Sequence, residues 1–114
     1  MAGLKLSIVF PSGGRIGPGK RELLRRIEET GSISAAARDM KMSYKRAWLL
    51  IESMNVVFLK PVVIAAPGGR RGGGARLTPL GARVLARLDR LEAQALKAVG
   101  RDLKAVERMA RRSE

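Results

Sequence analysis

The stretch GSISAAARDMKMSYKRAWLLIESMN, residues 31–55, holds two helix starts in close succession. Ser32 and Ser43 are residue types that cap a helix by accepting a backbone N–H with the side-chain oxygen. After Ser32, the residues Ile33, Ala36, Ala37 and Met40 share one helical face, so the first helix is short and its inner face is small. Lys41 and Met42 leave room only for a tight turn before the second helix, which the pattern carries to about Asn55. Two helices joined by a three- to four-residue turn, with alanines where they cross, form a helix-turn-helix.

Stepping 100° per residue around the second helix places Ala47, Leu50, Ile51 and Met54 on a core face. Tyr44 flanks that face and Trp48 lies further round on the same side. The opposite face presents Lys45, Arg46, Leu49, Glu52 and Ser53. An outward leucine among basic residues fits a face that enters a DNA major groove, where it meets a thymine methyl. A protein–protein contact accounts for Leu49 equally well.

Elsewhere, Leu4, Leu6, Ile8 and Phe10 alternate with Lys5, Ser7 and Val9 as a short half-buried strand. PSGGRIGPG, residues 11–19, reads as loop, and Lys20–Thr30 reads as a helix with Leu23, Leu24 and Ile27 inside and Gly31 as its stop. Pro61–Ala65 is an apolar strand and Ala75–Leu77 its return, so APGGRRGGGARLT is the connection of a β-hairpin. Thr78 followed by Pro79 opens a long helix with Leu80, Val84, Leu88, Leu91, Ala95 and Val99 on one stripe. Gly100 is expected to interrupt that helix, and Leu103, Val106 and Met109 or Ala110 resume the stripe. The stripe exceeds what one small domain needs to cover. Helix-mediated homodimerisation is the expected use, against an amphipathic helix lying on its own core.

The fold class is therefore α+β and mostly helical: a winged helix-turn-helix with a short β-hairpin wing and a long C-terminal helix. One domain is expected, with an N-terminal strand and loop at 1–16, a core at 17–78, and one or more C-terminal helices at 79–114.

The 114 residues carry 23 Lys and Arg against 10 Asp and Glu, a formal charge of +13. Residues 38–76 hold eight of the cations against Asp39 and Glu52, so positive potential concentrates in the middle third. That is the footprint of a polyanion binder, with duplex DNA as the expected partner. The alternatives are a basic RNA- or ribosome-associated protein and a partner-binding adaptor using the C-terminal helix. The chain has no His and no Cys, which removes imidazole acid–base chemistry, thiolate nucleophiles and Cys/His metal sites, so no enzyme and no metal are expected. GGRIGPGKR nearly matches a phosphate loop, but Arg21 stands where the Mg²⁺-binding hydroxyl belongs. Its bland reading is a flexible lead into the first helix, with Lys20 and Arg21 near phosphates. No apolar run approaches the roughly 20 residues of a membrane helix, and a soluble cytoplasmic protein is expected.

The glycines of PGGRRGGG allow close backbone approach, and Arg70 and Arg71 supply charge to a backbone or narrow minor groove. GSISAAARDMKMSYKRAWLLIESMN, then PVV, then GGRRGGGARLTPLG resemble the DNA-binding domain of the ModE family of molybdate-responsive bacterial regulators. The resemblance covers roughly residues 17–91, and its first half is also similar to the LysR-type helix-turn-helix. It implies a winged helix that dimerises at promoters. Ser43, Tyr44, Lys45 and Arg46 would open the recognition helix, with Gly72, Gly73 and Gly74 beside Arg70 and Arg71 in the wing. On this reading Lys45, Arg46 and Leu49 face base edges, while Ser43, Tyr44, Arg70, Arg71 and Arg76 hold phosphates. The family's molybdate-binding domains carry an SARNQ stretch, and nothing after residue 91 is similar to it. No molybdate or other cofactor is therefore expected on this chain.

Overall fold

Three hydroxyl side chains set where the helices begin. Ser32 Oγ accepts the Ala35 N–H at 3.1 Å, Ser43 Oγ the Arg46 N–H at 3.1 Å, and Thr78 Oγ1 the Gly81 N–H at 3.0 Å. Each satisfies a backbone donor that the first helical turn leaves without an internal partner. They open α2 (Ile33–Asp39), α3 (Tyr44–Val57) and α4 (Pro79–Met109) in the computed structural model, which describes residues 2–67 and 74–110. The first helix, α1 (Pro18–Thr30), has no side-chain cap and starts on proline, whose missing N–H costs nothing there. It ends at Gly31, where φ of 68° lets the N–H return to the Ile27 carbonyl at 2.8 Å.

The core gathers around α1, whose Leu23, Leu24 and Ile27 are all fully buried. Ala36 and Ala37 of α2 and Ala47 of α3 are buried too, as the small inner face of the helix-turn-helix requires. Ile51 and Met54 complete the inner side of α3, with Leu50 half-buried at its edge. The α2–α3 turn closes through a Met42 N–H to Ala37 carbonyl bond of 2.9 Å, and Lys41 takes the left-handed conformation at φ 57°.

Two antiparallel hairpins flank the helices. The strand β3 (Val63–Ala66) pairs with β4 (Gly74–Leu77), setting Val63 opposite Leu77 and Ile64 opposite Arg76. The N-terminal part departs from expectation. Burial alternates along Leu4–Phe10 as a half-buried strand would, but only β1 (Ile8–Val9) is paired. Its partner is β2 (Arg15–Ile16), inside the stretch expected to be loop, with Ile8 opposite Ile16. The chain reverses at Gly13, at φ 99°, with the Phe10 N–H bonded to the Gly14 carbonyl at 2.8 Å. The GGRIGPGKR segment is thus a strand and a helix start rather than a flexible lead. Lys20 donates to the Arg15 carbonyl at 2.8 Å.

The long helix α4 runs unbroken through Gly100, which corrects the expected interruption. A glycine in a helix costs about 1 kcal/mol relative to alanine, too little to stop a helix of 31 residues. Only the first turns of α4 meet the core. Gly81 and Leu85 are buried, while Leu91, Leu96, Val99, Val106 and Met109 are exposed. Among the described residues no helix is long and apolar enough to cross a membrane.

The two helical glycines of α4 make opposite predictions. A Cβ on Gly81 would collide with the Val62 carbonyl oxygen, whereas one on Gly100 meets nothing within 4 Å. Gly81→Ala should destabilise the fold by about 1–3 kcal/mol through overpacking, while Gly100→Ala should stabilise it by about 0.5–1 kcal/mol. Urea and thermal unfolding read both. A Gly81→Ala variant as stable as the parent would mean that α4 does not close on Val62.

Candidate nucleic-acid interface

The α3 helix presents its N-terminus and outward face to solvent. Ser43 caps the helix, and Tyr44, Lys45, Arg46 and Leu49 are all exposed, Leu49 by 50%. The N-terminal end of a helix carries partial positive charge, and Lys45 and Arg46 add two full charges in the first turn. Arg38 and Lys41, on α2 and in the following turn, are exposed as well. Ser43 Oγ accepts the Arg46 N–H with one of its two lone pairs, and its hydroxyl proton can still donate. Arg76 lies on β4, its side chain exposed beside the buried Ala75, as strand alternation demands. The structure therefore groups Ser43, Tyr44, Lys45, Arg46 and Leu49 on one helix and Arg76 on the hairpin. Arg70, Arg71, Gly72 and Gly73 lie outside the described residues.

The cations of α1 and those of the helix-turn-helix face differ. On α1, Arg21 pairs with Glu92, and Arg25 bonds Asp89 at 2.5 Å. Arg26 reaches Glu22 at 2.9 Å and Asp39 at 3.7 Å. The hydrogen bond to Asp89 raises the pKa of Arg25 above its ordinary value, against a smaller opposing cost of burial. These pairs are partly exposed and each is worth little alone; those of Arg21 and Arg25 join α1 to α4, and those of Arg26 lie within α1 and toward α2. Arg38, Lys41, Lys45, Arg46 and Arg76 have no carboxylate partner among the described residues. Their charge is left for an external anion. Arg21 was expected near phosphates, and its pairing with Glu92 turns it to a structural use instead.

The β3–β4 hairpin is tied to the helix-turn-helix at several points. Asn55, near the end of α3, accepts the Val62 N–H at 2.8 Å and the Val63 N–H at 3.3 Å, and donates to the Val63 carbonyl at 3.3 Å. The Ala75 N–H bonds the Gly31 carbonyl at 3.0 Å, in the turn between α1 and α2. At the base, Thr78 donates its N–H to Val62 and its hydroxyl to the Pro61 carbonyl, at 3.0 and 2.7 Å. An open cleft of about 270 Å³ remains between α3 and the hairpin, lined by Tyr44, Trp48, Glu52 and Ile64 among others. Trp48, 44% exposed, borders this cleft rather than the core.

Asn55 and Gly81 escaped the reading of the sequence. An asparagine between Met54 and Val56 in the last, apolar turn of α3, and a glycine just after a Thr-Pro cap, are the signals that mark them. Nothing local marks the partnership of Arg25 with Asp89, 64 residues away.

The architecture defines a helix-turn-helix followed by an antiparallel hairpin and a long helix, a fold shared with transcriptional regulators. A LysR family transcriptional regulator matches 74% of this chain and 26% of its own, with a TM-score of 0.54 and 20% sequence identity, which shows the fold alone. No family model matches the chain. The chain is homologous to the ModE and Mop proteins. It is 49% identical over 86 residues to the molybdenum-pterin-binding protein MopB of Rhodobacter capsulatus, covering 75% of this chain and 32% of that protein. It is 43% identical over 74 residues to the DNA-binding transcriptional dual regulator ModE of Escherichia coli, covering 65% of this chain and 28% of that protein. The chain thus spans about a third of the length of these curated relatives.

Replacing Asn55 tests how the hairpin is held. Asn55→Ala should cost about 1–3 kcal/mol by leaving buried backbone groups unpaired. Amide exchange at Val62 and Val63 should quicken before exchange in α1 does. Unchanged protection at both amides would contradict the latch.

Proposed function

We propose that this chain is a ModE-family, sequence-specific duplex-DNA-binding module of a transcriptional regulator, acting as a homodimer at promoters in the cytoplasm. The observation that carries the reading is the unpaired positive charge on the outward, N-terminal part of α3 together with the exposed Leu49. In this reading α3 enters the major groove and the β3–β4 hairpin is the wing. Lys45 and Arg46 meet base edges, and Leu49 meets a thymine methyl. Ser43, Tyr44 and Arg76, with Arg70, Arg71, Gly72 and Gly73 of the segment joining β3 to β4, hold the sugar-phosphate backbone. One relative supports it by name, the DNA-binding transcriptional dual regulator ModE. We assign residues 1–114 no molybdate or other cofactor and no enzymatic role.

Support for a dimer comes from α4. Its apolar stripe continues past the core through Leu96, Val99, Val106 and Met109, all exposed. A second copy of the same helix would cover that stripe and place two α3 helices on successive major-groove faces, roughly 34–36 Å apart.

Selection of bound duplexes from a random pool should yield a two-fold-symmetric site. Against it, Arg46→Ala should lose about 1–3 kcal/mol of discrimination. Equal weakening on specific and random duplexes would remove Arg46 from base recognition, and structured RNA bound as tightly as the selected duplex would overturn the DNA reading. Arg70→Ala combined with Arg71→Ala should weaken binding on all duplexes and flatten the salt slope by about 1–2. Val99→Glu with Val106→Glu should produce a monomer in sedimentation that loses the two-half-site affinity. A variant still dimeric and fully active would place the dimer contact elsewhere.

A further inference from the structure

The N-terminal hairpin, the residue after α3 and the face of α4 next to the core enclose a second concavity, an apolar groove of about 370 Å³. Phe10 and Phe58 form part of its wall, their rings edge-to-face with centroids 5.8 Å apart and planes at 75°. Val84 and Leu88 form the α4 side, and Arg83 and Arg87 also line the groove. Arg83 and Arg87 stand four residues apart, one turn of α4, beside the strip that carries Val84 and Leu88, and both line the groove.

These two arginines differ from those of α1. Arg21, Arg25 and Arg26 each have a carboxylate within 4.0 Å, whereas Arg83 and Arg87 have none among the described residues. An apolar wall with two uncompensated guanidiniums on one side is complementary to an anion that carries an apolar body. Such a ligand gains charge-assisted, bidentate hydrogen bonds at one end and removes ring surface from water at the other. The volume sits at the low end for a small-molecule pocket, which admits one or two fused rings. The edge-to-face phenyl pair in the wall favours an aromatic body over an alkyl chain. A nucleic-acid backbone would meet the arginines but leave the apolar wall unused.

We propose that this groove is a binding site for a small aromatic carboxylate, clamped by Arg83 and Arg87 and seated against Phe10 and Phe58. The site is separate from α3 and does not depend on the DNA reading.

Calorimetric titration of the full chain with 2-naphthoate tests it, alongside sedimentation to fix the oligomeric state. The expected result is saturable binding of one naphthoate per chain, at least tenfold weaker for the neutral 2-naphthamide. Arg83→Gln with Arg87→Gln, two exposed positions that leave the fold intact, should weaken naphthoate at least tenfold. Val84→Trp should fill the groove and abolish binding with an unchanged far-ultraviolet spectrum. Absence of saturable binding would overturn the proposal, as would equal affinity in the arginine double variant. Inorganic phosphate competing as well as naphthoate would reduce the groove to a plain anion site and overturn it. Dissociation of a dimer by Val84→Trp would show that a second copy fills the groove, with the same consequence.

Discussion

The crossing of α2 and α3 on Ala36, Ala37 and Ala47 is the contact on which the remaining arrangement depends. All three side chains are buried, and none projects further than a methyl group. Larger residues at these positions would hold the helices apart and force the seven-residue α2 off α1. The close approach lets Ile51 and Met54 of α3 reach the core while Tyr44, Lys45, Arg46 and Leu49 stay in solvent. Ser32 and Ser43 hold the two helix starts in register with that crossing.

Electrostatics then divides the surface. Asp89 and Glu92 of α4 draw the arginines of α1 into pairs, so one side of the molecule is internally compensated. The cations of the helix-turn-helix and of β4 find no such partners among the described residues. A strong net charge repels itself in a compact domain, so leaving these groups unpaired costs stability that a bound anion would relieve. The acidic residues of α4 therefore matter to function by what they neutralise and by what they leave alone.

Much of this was legible in the residues, and the limits follow physical range. The three N-caps at Ser32, Ser43 and Thr78 act over three residues, and all three are found where the residue types place them. The inner face of α3 follows from its period. The first N-terminal strand showed in the alternation of Leu4–Phe10, but its pairing did not, because the two-residue partner Arg15–Ile16 carries no periodic signal. Gly100 misled, since a local preference worth about 1 kcal/mol is overridden by the long helix around it. The Arg25–Asp89 pair acts across 64 residues, where sequence separation conceals it, and Asn55 bonds backbone seven and eight residues on, beyond any helical or strand period. At the candidate interface, the helical positions could be read directly, while the anchoring of the hairpin that frames them could not.

In the proposed DNA complex, uncompensated charge on the helix-turn-helix face, rather than total charge, selects the nucleic-acid contact. Backbone amide NMR during titration with a duplex at physiological salt tests it most directly. The account predicts the largest shifts at Lys41–Ser53 and around Arg76, with Glu22–Glu29 of α1 nearly unmoved. Shifts concentrated on α1, or spread evenly over every basic segment, would contradict it.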